Sequence, residues 1–140
     1  MLLAFIFTSC KMVCPLISQQ MAALQIQLKK ANLFAEKASM ISVTVDPQTD
    51  TAAVLAEYAK GFGADPNGWR FLRDEPQRLK AVLKAYDEWT KLLPGGEMDH
   101  PARVYLIDQR GNIREVYSLS YFDEKQAYLD IQALLREAKP

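Results

Sequence analysis

A chain of 140 residues, 49% of them apolar and 24% charged, suits one globular domain around one core. The 17 Lys and Arg balance the 17 Asp and Glu, so no basic excess points to nucleic acid or to an acidic membrane surface. The longest unbroken apolar run, Met1 to Phe7, is too short to span a bilayer.

Leu2 to Phe7 is continuously apolar with aromatic content and is bounded by Thr8-Ser9, which predicts a strand buried on both faces. A chain that opens inside a central strand leads us to expect missing N-terminal elements. Met1 to Cys10 faintly resembles a lipoprotein signal, but it lacks a basic n-region and is too short for one. Pro15 fits the first turn of a helix, and Ile17, Met21, Leu24 and Leu28 recur at helical spacing, predicting a helix to about Lys37. Met40 to Val45 is β-branched and reads as a second strand, closed by Asp46-Pro47.

Asp50 or Thr51 is expected to cap the next helix, whose stripe is Val54, Leu55, Tyr58 and Phe62 and whose end is marked by Gly61 and Gly63. Trp69 to Leu72 follows the Asp65-Pro66-Asn67-Gly68 turn as a short strand. Asp74 is placed to cap a helix carrying Leu79, Val82, Leu83, Tyr86 and Trp89, broken by Pro94-Gly95-Gly96. Arg103 to Ile107 and Ile113 to Ser118 flank a Gly-bearing loop and predict an antiparallel hairpin. Asp123 with Gln126 resembles a capping box for a last helix burying Tyr128, Ile131, Leu134 and Leu135. Strands alternating with helices and a terminal hairpin predict an α/β fold over residues 1–140. It is a single thioredoxin-like domain, a central mixed sheet with helices on both faces.

The chemistry-bearing residues cluster at the first strand-to-helix junction. Cys10 and Cys14 are the only cysteines. Their spacing puts them one helical turn apart on one side, near a helix N-terminus whose unpaired N–H groups favour a thiolate. A structural disulfide or two buried thiols is the plainer reading; a thiolate pair for redox work or a soft metal is the functional one. His100, the only histidine, lies between the Pro94-Gly95-Gly96 breaker and the following strand. A loop histidine is most often simply solvated. In a thioredoxin-like fold, however, this loop passes beside the first helix N-terminus. Two sulfurs and one imidazole suit Cu(I) and tolerate Cu(II) and Zn(II), whereas a structural zinc site wants four protein ligands.

Thr8-Ser9-Cys10-Lys11-Met12-Val13-Cys14-Pro15 resembles the CxxxCP loop of the Sco/SenC family of copper-binding thioredoxin-like proteins. Ile41 to Pro47, Asp50-Thr51, Val54-Leu55 and Tyr58 resemble its next strand and helix. Asp99-His100 followed by Tyr105 to Asp108 and Gly111 resembles its metal-histidine loop and hairpin. The resemblance implies that Cys10, Cys14 and His100 bind one copper ion. It also implies a role in assembling the copper centre of cytochrome c oxidase, as copper donor, thiol reductant or both. The implied partner is the copper-site subunit of that enzyme or another copper or thiol protein. The implied location is the periplasm, or a membrane tether facing it, or the mitochondrial intermembrane space. Members commonly carry an acidic residue in the middle of the loop where this chain has Met12, and carry an N-terminal tether and leading hairpin expected to be missing here. Met12 is expected to face the protein body rather than to donate its thioether.

Other readings compete. Cys10 and Cys14 can serve as the catalytic pair of a thiol–disulfide oxidoreductase, with Cys10 attacking first, although the spacing is not Cys-x-x-Cys. A thiol peroxidase is disfavoured, because Phe7 and Leu3 stand where such sites carry Thr and Pro. An adaptor whose cysteines only staple the loop also fits the fold. Asp46 ends a strand and is read as a turn residue rather than an acceptor behind a metal ligand. Trp69, Tyr105 and Tyr121 are read as packing or surface.

Overall fold

The computed structural model describes residues 1–118 and 121–138, so 119–120 and 139–140 of the expected domain lie outside the described residues. Among the described residues the elements are, in chain order, β1 (Leu2–Ile6), α1 (Val13–Lys30), β2 (Met40–Thr44), α2 (Ala52–Gly61), β3 (Trp69–Leu72), α3 (Pro76–Ala85), β4 (Lys91–Leu92), β5 (Met98–Asp99), β6 (Arg103–Ile107), β7 (Ile113–Ser118) and α4 (Glu124–Glu137). The main sheet has the order β3-β2-β1-β6-β7. β1, β2 and β3 run parallel, and β6 and β7 are antiparallel to their neighbours. This is the thioredoxin-like mixed sheet that the element order predicts.

β1 is central and buried along its whole length, which is why it reads as an apolar run rather than an alternation. Side chains alternate across it. Leu2 and Ala4 join Met21, Leu24 and Leu28 of α1 and Ala127 and Ile131 of α4 in one core layer. Leu3 and Phe5 join Leu79 and Leu83 of α3 in the other. Burying a Leu or Met side chain contributes about 1.5 to 3 kcal/mol, so both layers anchor β1 and the loop that leaves it.

Several expectations are corrected. α1 ends at Lys30 rather than near Lys37, because Asn32 takes a left-handed conformation (φ 54°) that stops the helix. α3 ends at Ala85, with Asp87 left-handed (φ 52°), so Trp89 lies beyond it and is half exposed. Asp74 accepts the Glu75 N–H, but the N-cap position belongs to Glu75. The Pro94-Gly95-Gly96 segment is the tip of a small hairpin, β4 against β5, that leads into His100. Asp123 caps α4 by accepting the Lys125 N–H, but Gln126 turns away to Asp130 and closes no capping box. Tyr128, Leu134 and Leu135 are only partly buried, and Ala127 with Ile131 makes the α4 core contact.

Candidate functional site

β1 delivers the chain to Phe7 and Thr8. A turn follows in which the Cys10 N–H donates to the Phe7 carbonyl (3.2 Å). Met12 holds the N-cap position of α1, yet its side chain makes no capping bond. The Cys10 sulfur caps instead, accepting the Cys14 N–H over 3.4 Å. An α1 N-terminus without acidic residues in its first turn is thus served by a sulfur.

The two thiols are free and sit in opposite settings. Burial pushes Cys10 up, but the backbone N–H groups of Cys14, Met12 and Val13 and the Cys14 side chain outweigh it, leaving the thiol below its ordinary value. Cys14 is fully buried. Burial drives its thiol well above the ordinary range; neighbouring Cys10 and the charge of Asp50 add to the rise, and the Phe7 backbone opposes it.

His100 arrives from the far side. β6 is antiparallel to β1, with Leu2, Leu3 and Ala4 facing Leu106, Tyr105 and Val104. The end of β1 and the segment entering β6 therefore lie at the same edge of the sheet. The imidazole packs edge-on against Phe7 (centroids 5.5 Å apart), and its Nε2 lies 3.6 Å from the Cys14 Sγ. Burial lowers the His100 pKa, against the Pro101 backbone and the Asp99 charge, so the ring is neutral at neutral pH. Its Nδ1 is buried with no hydrogen-bond partner among the described residues.

The structure therefore brings together the three residues singled out from sequence. Cys14 and His100 face each other, and Cys10 stands one turn away at the helix end. Among the described residues, no three His, Cys, Asp or Glu side chains are already closed into a metal cage. Met12 departs from expectation: it is 79% exposed and faces solvent, because the N-cap residue stands on the outer side of the loop while Cys14 takes the inner side. Asp46 is a turn residue as expected, its carbonyl accepting the Asp50 N–H and its side chain the Thr49 N–H.

Sequence reasoning missed two groups beside the thiols. Tyr58 of α2 meets the fully buried Ser18 of α1 through their hydroxyls (3.1 Å), and burial pushes the phenol up to about 12. Asp50, read as a possible helix cap, is wholly buried, while Thr51 does the capping by accepting the Val54 N–H. The Asp50 carboxylate accepts the Thr8 N–H (3.1 Å), the Thr8 hydroxyl and the Thr44 hydroxyl (2.5 Å). The available signal was Thr8 before Ser9-Cys10, a polar residue closing an apolar strand.

The SCO1/SenC family model matches residues 1–136. The SCO1 protein homolog of Bacillus subtilis is 31% identical over 118 residues, 81% of this chain and 59% of that protein. The chain thus spans less than two thirds of the length of the curated relatives it first matches. A SCO1/SenC family lipoprotein from Bacillus anthracis superposes with a TM-score of 0.84 at 27% identity, covering 96% of this chain and 81% of that one. Bradyrhizobium japonicum ScoI with copper bound gives 0.79 at 27% identity, covering 95% and 83%. BsSco, a member of the Sco family of cytochrome c oxidase assembly proteins in which a disulfide switch was identified, gives 0.78 at 27% identity, covering 95% and 78%.

Proposed function

The chain belongs to the SCO1/SenC family, and from that premise we propose that it carries one copper ion on Cys10, Cys14 and His100 and passes it to a cysteine-containing copper site, that of cytochrome c oxidase. The observation that carries this reading is the neutral His100 ring set 3.6 Å from the Cys14 sulfur, with the Cys10 sulfur at the N-terminus of the same helix. Two sulfurs and a neutral imidazole match the preferences of copper, and three ligands leave room for an incoming one. The residues fit the cargo: a cation between two sulfurs stabilises both as thiolates, which offsets the burial that holds the Cys14 proton in place. The His100 Nδ1, without a partner among the described residues, leaves the ring positioned by packing against Phe7. The whole chain acts as one domain, and by family likeness it works on the periplasmic side or while tethered facing it.

A copper titration of the reduced protein without oxygen, with chelator competition and an optical spectrum with Cu(II), tests the reading. The expected result is one copper per chain and a thiolate charge-transfer band, with His100→Ala losing the band and at least about tenfold in Cu(II) affinity. A reduced protein that retains no copper overturns it.

The lowered thiol of Cys10 supports a second reading, thiol–disulfide exchange with Cys10 as nucleophile and Cys14 as the resolving thiol. Attack by the Cys10 thiolate on a partner disulfide forms a mixed disulfide and releases one partner thiol. Attack by Cys14 then releases the second, so the partner is reduced as the Cys10–Cys14 pair is oxidised. This reading predicts metal-independent reduction of a partner disulfide, abolished in Cys10→Ser.

A further inference from the structure

Asp50 is a buried carboxylate whose three hydrogen-bond donors among the described residues are all neutral: the Thr8 N–H, the Thr8 hydroxyl and the Thr44 hydroxyl. Among the described residues no basic side chain forms an ion pair with it. The nearby guanidinium of Arg73 donates to the backbone carbonyls of Asp50 (3.1 Å) and Pro47 (2.7 Å) rather than to the carboxylate, so it faces the charge of Asp50 only at a distance. A buried charge without a directly paired counter-charge is costly, and hydrogen bonds offset only part of that cost. The charge of such a group acts on what lies nearby. Here the neighbour is the cysteine loop. Thr8, which makes two of the three bonds, stands two residues before Cys10 and next to Phe7, which packs against His100. The field of Asp50 also reaches Cys14, where it opposes a bare thiolate.

We infer that Asp50 is a positioning and charge-setting residue for the copper site: it pins Thr8 beneath the Cys10–Cys14 loop and supplies a fixed negative charge that favours Cu(II) over Cu(I) there. This rests on the copper reading above. Two thiolates and Cu(I) carry a net charge of −1, whereas two thiolates and Cu(II) are neutral. A buried anion alongside therefore disfavours the first state relative to the second. Thr44 fixes the carboxylate from β2 and Thr8 from β1, so its position is set by the sheet rather than by a mobile loop.

The test compares Cu(II) and Cu(I) affinities of the wild-type protein, Asp50→Asn and Thr8→Val, with thermal unfolding of each copper-free form. Asp50→Asn keeps the shape and one acceptor oxygen but removes the charge. It should weaken Cu(II) by about tenfold, change Cu(I) by less than about threefold and shift the thiolate-to-Cu(II) band. Thr8→Val removes one donor and keeps the charge, now less well solvated, so the preference for Cu(II) should hold or rise. The two variants thus move the ratio in opposite senses, or only Asp50→Asn lowers it, whereas a purely structural bolt would shift both metals together in both variants. Equal losses for the two ions, or no change in Asp50→Asn, overturn the inference. If Asp50→Asn does not fold, a fall of the ratio in Thr8→Val overturns it. Wild-type protein that binds no copper overturns the copper reading itself, and this inference with it.

Discussion

Cys10 and Cys14 are the same residue type one helical turn apart, yet their surroundings assign them different work. Cys10 is half-buried at the end of α1, with backbone donors converging on its sulfur, while Cys14 is sealed under Phe7 and His100. Glu88 shows the same dependence on place. Its side chain is only 1% exposed; one oxygen bonds the Tyr105 hydroxyl, the other has no partner among the described residues, and the Arg103 guanidinium stands 3.9 Å away. Burial pushes this carboxyl above its ordinary 4.5, with Asp87 adding to the rise and Tyr105 and Arg103 opposing it. A folded-state value above the unfolded one means that the folded protein holds the proton more tightly. Its contribution to stability is complete below the ordinary value and is lost as pH rises through the raised one. Melting curves should therefore show wild-type protein losing ground to Glu88→Gln as pH climbs above about 4.5. A difference in melting temperature that stays constant with pH would show that the carboxyl is not shifted.

At the scale of elements, three helices end in the same way and the sequence announces only one of them. After α2, Gly63 (φ 65°) donates to the Lys60 carbonyl and Ala64 to that of Ala59. After α1, Asn32 donates to Lys29 and Leu33 to Leu28; after α3, Asp87 donates to Lys84 and Glu88 to Leu83. All three are left-handed caps that satisfy the last carbonyls. Gly63 was legible because glycine is the usual residue there. Asn32 was not, because the apolar stripe and the lysines run on past it, and the tolerance of Asn for this conformation is weaker evidence than its surroundings. The five strands of the main sheet, by contrast, were readable nearly to the residue, since apolar and β-branched runs bounded by turn residues leave little choice, whereas the two-residue strands β4 and β5 were not. Asn32→Ala should therefore cost about 1 kcal/mol by urea denaturation with unchanged slope, and Asn32→Gly should cost nothing or stabilise slightly. Equal midpoints for the Ala and Gly variants would remove the cap from this account.

Across the whole molecule, the site is a consequence of strand order. β1 and β6 are neighbours running in opposite directions, so the end of the first and the start of the second lie on one edge. Cys14 and His100, 86 positions apart, meet there. The candidate site was legible as a cluster because the cysteines and histidine carry their chemistry in their identity and the topology brings Cys14 and His100 together. Asp50 was not, since burial of a carboxylate follows from three dimensions rather than from pattern. The same geometry fixes what copper should do to the molecule. His100 hangs at the end of the small β4–β5 hairpin, two strands of two residues each, with Leu92 mostly exposed, whereas Cys14 is rooted in the core through α1. A metal bound to both ties a weakly held segment to a strongly held one, and a ligand that binds only the folded state stabilises it by mass action. Copper loading should therefore slow amide exchange chiefly over residues 91–102 and raise the melting temperature, and chelation should reverse both. In His100→Ala any copper held by the cysteines alone should leave exchange in the hairpin unchanged. Protection that appears equally in that variant would mean that the metal reaches the hairpin by some route other than His100.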